Sequence, residues 1–229
     1  MNRLNPSIFC GRYYHLRKLR QCNEYVIRKY LKEVGNCSLL DYGCGDSPYR
    51  PLYEPHVTEY LGADIERNKS ADLVISLPSG KVNSSDSRFD ILLSTQVLEH
   101  VTDPKRYLEE AHRLLKPGGT LVLSTHGYWM YHPDPTDFWR WTRDGLERTI
   151  SAEGFEIIET MGIFNRFASG LQLFQDGLLF KLPAFLKPLW ALVFALLQMV
   201  FDNGKLTNRD ASVFMVIARK KAGVANPGQ

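Results

Sequence analysis

One stretch of the chain, His126 to Thr142, gathers side chains that could do chemistry: two histidines, two aspartates, an arginine and six aromatic rings. A neutral imidazole can take a proton near neutral pH, and a carboxylate beside it can fix its tautomer. His132, Asp137 and Arg140 are therefore candidates for orienting an acceptor or receiving its proton, with His126 beside them. A structural alternative stays open. Trp139 and Trp141 could pack as a lid while Asp137 and Arg140 brace the loop. No metal site is expected, because His126 and His132 lie six residues apart with no third ligand at clear spacing. His100, which follows Glu99, is expected to shape a turn. Cys44 reads as a small turn residue, since no base is visibly paired with it.

A second constellation lies earlier. Leu39-Leu40-Asp41-Tyr42-Gly43-Cys44-Gly45 is an apolar strand running into a glycine turn. Glycine has no Cβ, so Gly43 and Gly45 can adopt unusual backbone angles and let a ligand approach the chain. Asp64 follows 23 residues after Asp41. An acidic residue about 20 positions past such a turn can accept hydrogen bonds from a ribose diol. A dinucleotide site would require a third glycine and a helix docked on pyrophosphate. Pro48 stands where that glycine would be, so a nucleotide-cofactor oxidoreductase is disfavoured.

These residues need elements to hold them. Ser38–Tyr42, Tyr60–Ile65, Asp72–Ile75, Phe89–Thr95, Thr120–Ser124, Phe155–Thr160 and Ser212–Ala218 read as strands. Apolar positions between 16 and 33 predict an amphipathic helix ahead of them. Asp103 and Pro104 predict a helix start, and Gly118 and Gly119 its end. Thr142 predicts another cap, for a helix ending near Gly154. Strands alternating with helices imply a Rossmann-like α/β fold, a mostly parallel, doubly wound sheet.

The expected organisation is an N-terminal helical segment (1–35), a core (36–162), a hydrophobic helical insertion before the last strand (163–210), that strand (211–221) and a disordered tail (222–229). Within the insertion, the apolar run 178–201 suits a peripheral membrane contact or a homodimer contact. Its unbroken part, from Pro188 to Phe201, makes about 21 Å of helix, short of a ~30 Å hydrocarbon core.

At 44% hydrophobic and 23% charged residues the chain reads as globular. A net charge of +3 is too small to point to nucleic acid. Four cysteines are few for a disulfide scaffold and suggest a cytoplasmic setting. The N-terminus lacks the apolar run of a signal peptide.

Four segments, in order, resemble the class I S-adenosylmethionine (SAM)-dependent methyltransferases, particularly those with the methyltransferase type 11 domain. They are Leu39 to Gly45, Gly62-Ala63-Asp64-Ile65, Phe89 to Val101, and Leu114 to Leu121. Ser47 departs from the glycine often found there, and Ser76-Leu77 stands where an acidic residue frequently meets the adenine. The resemblance implies a seven-stranded sheet whose last strand runs antiparallel. It also implies that SAM is the cofactor. Gly43 and Gly45 would face its methionyl part, Asp41 would support the turn, and Asp64 would hold the ribose. Asp72 to Leu77, including Ser76 and Leu77, would line the adenine, and Thr95 and Gln96 the methionyl end. The expected activity is methyl transfer to a small-molecule, glycan or lipid-intermediate acceptor. A non-catalytic binding or scaffold protein on the same fold is the alternative.

Overall fold

The structure is a computed structural model. It describes residues 3–31, 36–133, 136–179, 181–202 and 204–221. The expected tail 222–229 lies outside them, as does Asp134.

The strands are β1 (Ser38–Tyr42), β2 (Glu59–Ile65), β3 (Leu73–Ser76), β4 (Lys81–Val82), β5 (Phe89–Thr95), β6 (Leu115–His126), β7 (Phe155–Ile163) and β8 (Val213–Lys220). They form one sheet in the order β4-β3-β2-β1-β5-β6-β8-β7. Strands β3, β2, β1, β5 and β6 run parallel. β8 runs antiparallel to both β6 and β7. This is the expected architecture plus one two-residue edge strand, β4, antiparallel to β3. The order reverses between β1 and β5, the topological switch point at which open α/β sheets bind ligands.

Both sheet faces are covered, which is why β1 and β5 are apolar almost throughout. Leu40, Tyr42 and Leu92 face a layer built from α3 (Pro104–Leu114) and α4 (Arg143–Ala152). Leu39, Ile91 and Leu93 face the other layer, with α1 (Tyr13–Val26) and α2 (Arg50–Tyr53). α1 continues through a π turn to Leu31. The Tyr107 hydroxyl of α3 donates to the Tyr42 carbonyl at 2.9 Å, and its ring stacks on Tyr42 at 4.2 Å. α3 is thereby fixed to the strand end that carries the glycine turn.

Asp103 caps α3 by accepting from the Arg106 amide, and Thr142 caps α4 by accepting from the Gly145 amide. The helix stop differs from expectation. α3 ends at Leu114, before the two glycines. Gly118 and Gly119 sit in an irregularity of β6, where pairing jumps from Phe89–Leu115 to Ile91–Thr120. A Cβ on Gly119 would come within 2.9 Å of the Lys116 carbonyl, so close backbone approach explains that glycine.

The insertion forms α5 (Arg166–Leu179) and α6 (Lys187–Phe201), which pack on one another and, through α6, on α1.

Candidate active site

The carboxyl ends of β1, β2 and β5 open into a cavity of about 480 Å³. Small-molecule sites commonly fall between about 300 and 1,000 Å³. Gly43 and Gly45 form its floor at φ of 80° and 52°, in the left-handed region that favours glycine. A Cβ on Gly43 would lie 2.6 Å from Val97 Cγ1, whereas Gly45 faces open space. Gly43 is thus required by packing against Val97, and Gly45 by its backbone angle and access.

The turn is tied to β2. The Gly43 and Cys44 amides donate to the Ala63 carbonyl at 2.8 and 3.1 Å. The Gly45 amide donates to Asp64 Oδ2 at 2.9 Å, and Asn68 Nδ2 donates to the same oxygen at 2.8 Å. The Ile65 amide donates to Asp64 Oδ1. Three of about four acceptor positions are engaged, leaving one for a ligand hydroxyl. Asp41 holds its place otherwise than expected: it accepts from the Tyr60 hydroxyl at 2.6 Å and lines the cavity. Burial pushes its carboxyl up to about 7, against the pull of Tyr60.

Thr95 and Gln96 also line the cavity. Gln96 sits at φ 58°, and its amide donates to the Ser124 carbonyl. Thr95 Oγ1 and Gln96 Oε1 are buried without a protein partner. Such groups are costly unless something else satisfies them. Two unpaired acceptors, a buried carboxylate and a glycine floor fit the cationic amine and the small sulfonium end of SAM. Asp64 fits its ribose.

Ser76 and Leu77 are not in the cavity wall. The Ser76 carbonyl accepts from the Gly80 amide in the turn into β4, and Leu77 is 69% exposed. Ile65, which ends β2, and Arg67 and Asn68 just after it supply the wall instead. Cys44 is a packed turn residue: its sulfur would be 2.9 Å from a Cβ on Gly62, and burial pushes its thiol up to about 12.

His126 and His132 also stand in the cavity wall. His126 ends β6, is buried, and stacks on Trp129 at 4.8 Å. Burial, with His15 and His132 nearby, holds it well below the usual histidine range. His132 Nδ1 lies 3.2 Å from the Met130 carbonyl and 3.1 Å from Asp137 Oδ2. Both partners are acceptors, so Nδ1 carries the proton and Nε2 is the basic nitrogen. Burial lowers the His132 pKa, offset in part by Asp137, so the ring is neutral at pH 7.

Asp137 and Arg140 line no part of the cavity. The Asp137 carboxylate, 1% exposed, accepts from both terminal nitrogens of Arg140 and from the His132 amide. Burial opposes its charge, but Arg140 and that amide outweigh it and hold the carboxyl at about 2. Arg140 also donates to the carbonyls of Trp129, Met130 and Trp139. Its guanidinium is used up inside the loop, which leaves it a brace. Trp139 donates to the Val101 carbonyl, so it anchors the loop too.

Three residues enter the site that sequence reasoning did not assign to it. Glu99, fully buried, places Oε1 3.2 Å from His126 Nε2 and accepts from the Thr125 hydroxyl through Oε2. Burial raises it to about 7. His100 lines the cavity, with Nδ1 2.6 Å from the Thr136 carbonyl. His15 of α1 joins the wall and packs on Trp129 at 4.4 Å. Glu99, His100 and His132 place three potential ligand atoms within 4.8 Å of one another, a spacing one divalent ion could bridge. The histidines thus do have neighbours of ligand type, which chain separation concealed.

Residues 13–159 match the methyltransferase domain family. The chain is 22% identical over 157 residues to a probable S-adenosylmethionine-dependent methyltransferase of Mycolicibacterium smegmatis, covering 62% of this chain and 61% of that protein. It is 30% identical over 145 residues to a ubiquinone biosynthesis O-methyltransferase of Ruegeria pomeroyi, covering 50% and 56%. The chain therefore spans less than two thirds of these relatives' length. Among solved structures, the cyclase SpnF superposes with a TM-score of 0.58 at 19% identity, covering 91% of this chain and 83% of that one. The Haemonchus contortus phosphoethanolamine N-methyltransferase 2, in complex with S-adenosyl-L-methionine, gives 0.56 at 15% identity, covering 93% and 56%. Such neighbours speak to the fold alone, and one is a cyclase. The domain match, over more than half the chain and including every strand end that forms the cavity floor, makes this protein a member of the class I SAM-dependent methyltransferase family.

Proposed function

We propose that the chain binds SAM and transfers its methyl group to a hydroxyl of a small-molecule, glycan or lipid-intermediate acceptor. The observation that carries this reading is the place of His132, its Nδ1 within reach of the Met130 carbonyl and Asp137, in the wall of the cavity whose floor is the Gly43–Gly45 turn. SAM would supply an electrophilic methyl on a sulfonium sulfur that leaves as a neutral thioether. Asp64 would hold the ribose, while Asp41, Thr95 and Gln96 would accept from the amine. The protein's own work is then positioning and proton removal. A hydroxyl of high pKa is a poor nucleophile until a base takes its proton. His132 Nε2 takes that proton, and Asp137 steadies the resulting imidazolium. Holding acceptor and methyl in line supplies much of the remaining acceleration. The likeness to an O-methyltransferase supports an oxygen acceptor.

His132→Ala should lower turnover at least tenfold, about 1.4 kcal/mol in the barrier, with SAM affinity unchanged by calorimetry. Because the His132 pKa is lowered, its basic form persists on acidification. The acid limb of kcat/KM is therefore expected below the ~6.5 of an ordinary histidine. Full turnover in His132→Ala, or an acid limb above that value, would remove His132 as the base.

A further inference from the structure

α5 and α6 are arranged inside out. Apart from the first residue of each helix, Arg166 and Lys187, every charged, amide or hydroxyl side chain they carry is buried: Ser169, Gln172, Gln175, Asp176 and Gln198. These make an internal polar seam. Gln198 Nε2 donates to Gln172 at 3.0 Å and to Gln175 at 3.4 Å, and Ser169 accepts from Ser212. The outer faces are apolar. On α6, Leu189, Val193, Leu196 and Val200 are 43–77% exposed at spacings of 4, 3 and 4. On α5, Phe167 and Phe174 are 70% and 58% exposed. A helix of a water-facing surface shows the reverse pattern, and large exposed apolar patches mark contact surfaces.

The charges at this face have one sign. No exposed carboxylate lies between residues 166 and 201. Lys181 and Lys187 stand at the turn between the helices, and among the described residues neither makes an ion pair. The apolar stretch Ala184–Phe201 has a mean hydropathy of 1.8 and meets the length and composition of a membrane span. Its eighteen residues would reach about 27 Å, against a hydrocarbon core of ~30 Å. One side of it, however, is committed to the polar seam and to α1.

We propose that the α5–α6 pair docks flat on an anionic lipid bilayer, its outer face entering the headgroup–acyl boundary and Lys181 and Lys187 reaching lipid phosphates. Interfacial helices bind through this combination of apolar area and basic charge, and long lysine stems let the ammonium stay in the polar layer. The polar seam keeps both helices on the protein, so the pair lies along the membrane rather than across it. This does not depend on the methyl-transfer reading.

The test is co-sedimentation of the full chain with vesicles of equal parts phosphatidylglycerol and phosphatidylcholine, alongside light scattering without lipid. The parent should be monomeric and sediment with the vesicles. Val193→Glu/Val200→Glu, two outward positions that leave the core untouched, should reduce binding at least tenfold with an unchanged circular dichroism spectrum. Lys181→Glu/Lys187→Glu, which alters no residue of the buried seam, should weaken binding and remove its salt dependence. A parent that stays in the supernatant overturns the proposal. So does a parent dimer that the valine variant splits, which would assign the face to a second copy. Resistance to alkaline extraction would also overturn it, in favour of a span.

Discussion

At the scale of residues, the two glycines of the floor do different work. Gly43 is squeezed by Val97, and any other side chain there must also accept φ 80°. Left-handed backbone costs a non-glycine residue roughly 1–2 kcal/mol. Gly43→Ala should therefore lower both Tm and SAM affinity, and adding Val97→Ala should restore the part due to crowding. A double variant no better than Gly43→Ala would show that backbone angle alone makes glycine necessary. The same floor was legible in the sequence because turn glycines and a following acid occupy a short window. The histidine part of the wall was not. His100 and Thr136 are 36 residues apart, and His15 and Trp129 more than a hundred, so no spacing rule joins them. The cluster of Glu99, His100 and His132 bears on mechanism: with His132 acting as a free base, turnover should persist after exhaustive chelation. Loss of activity that added divalent metal restores would instead make these side chains ligands.

At the scale of elements, strands were read best where both faces are buried. β1 and β5 coincide with their predicted bounds because continuous apolar runs stop sharply at polar turns. β4 escaped because two residues carry no periodicity. Gly118 and Gly119 signalled a turn, but whether glycines end a helix or bend a strand is decided by the Phe89–Leu115 pairing, a long-range contact. Ser76 and Leu77, expected beside the adenine, stand outside the cavity wall for a related reason: β3 turns back as a hairpin with β4. Among its described residues, the 126–142 loop is held by the Asp137–Arg140 ion pair. Asp137→Asn should cost about 1–3 kcal/mol, several degrees in Tm at this chain length. Its pH dependence follows from sign. The folded pKa of about 2 lies below the ~3.9 of an unfolded aspartate. The stabilisation is therefore complete above about pH 4 and lost as pH falls through 2. The Tm gap between parent and Asp137→Asn should narrow as pH drops across that window. A gap independent of pH would mean that the Asp137 charge does not hold the loop.

At the scale of the whole molecule, the fold brings the glycine turn at the switch point of the sheet and the start of the loop after β6 to one cavity. The two meet only because β5 and β6 are neighbours. The fold does not choose the reaction, since a cyclase shares it; the polar groups of the cavity must. The central claim is that this cavity is made for SAM and not for a dinucleotide. Calorimetry with SAM and NAD side by side tests it most directly, on the parent and on Asp64→Ala. The account predicts that the parent binds SAM and not NAD. It also predicts that Asp64→Ala weakens SAM binding by roughly 1.5–3 kcal/mol, the scale of a lost hydrogen bond to a charged group. NAD binding to the parent, or SAM affinity unchanged by Asp64→Ala, would contradict it.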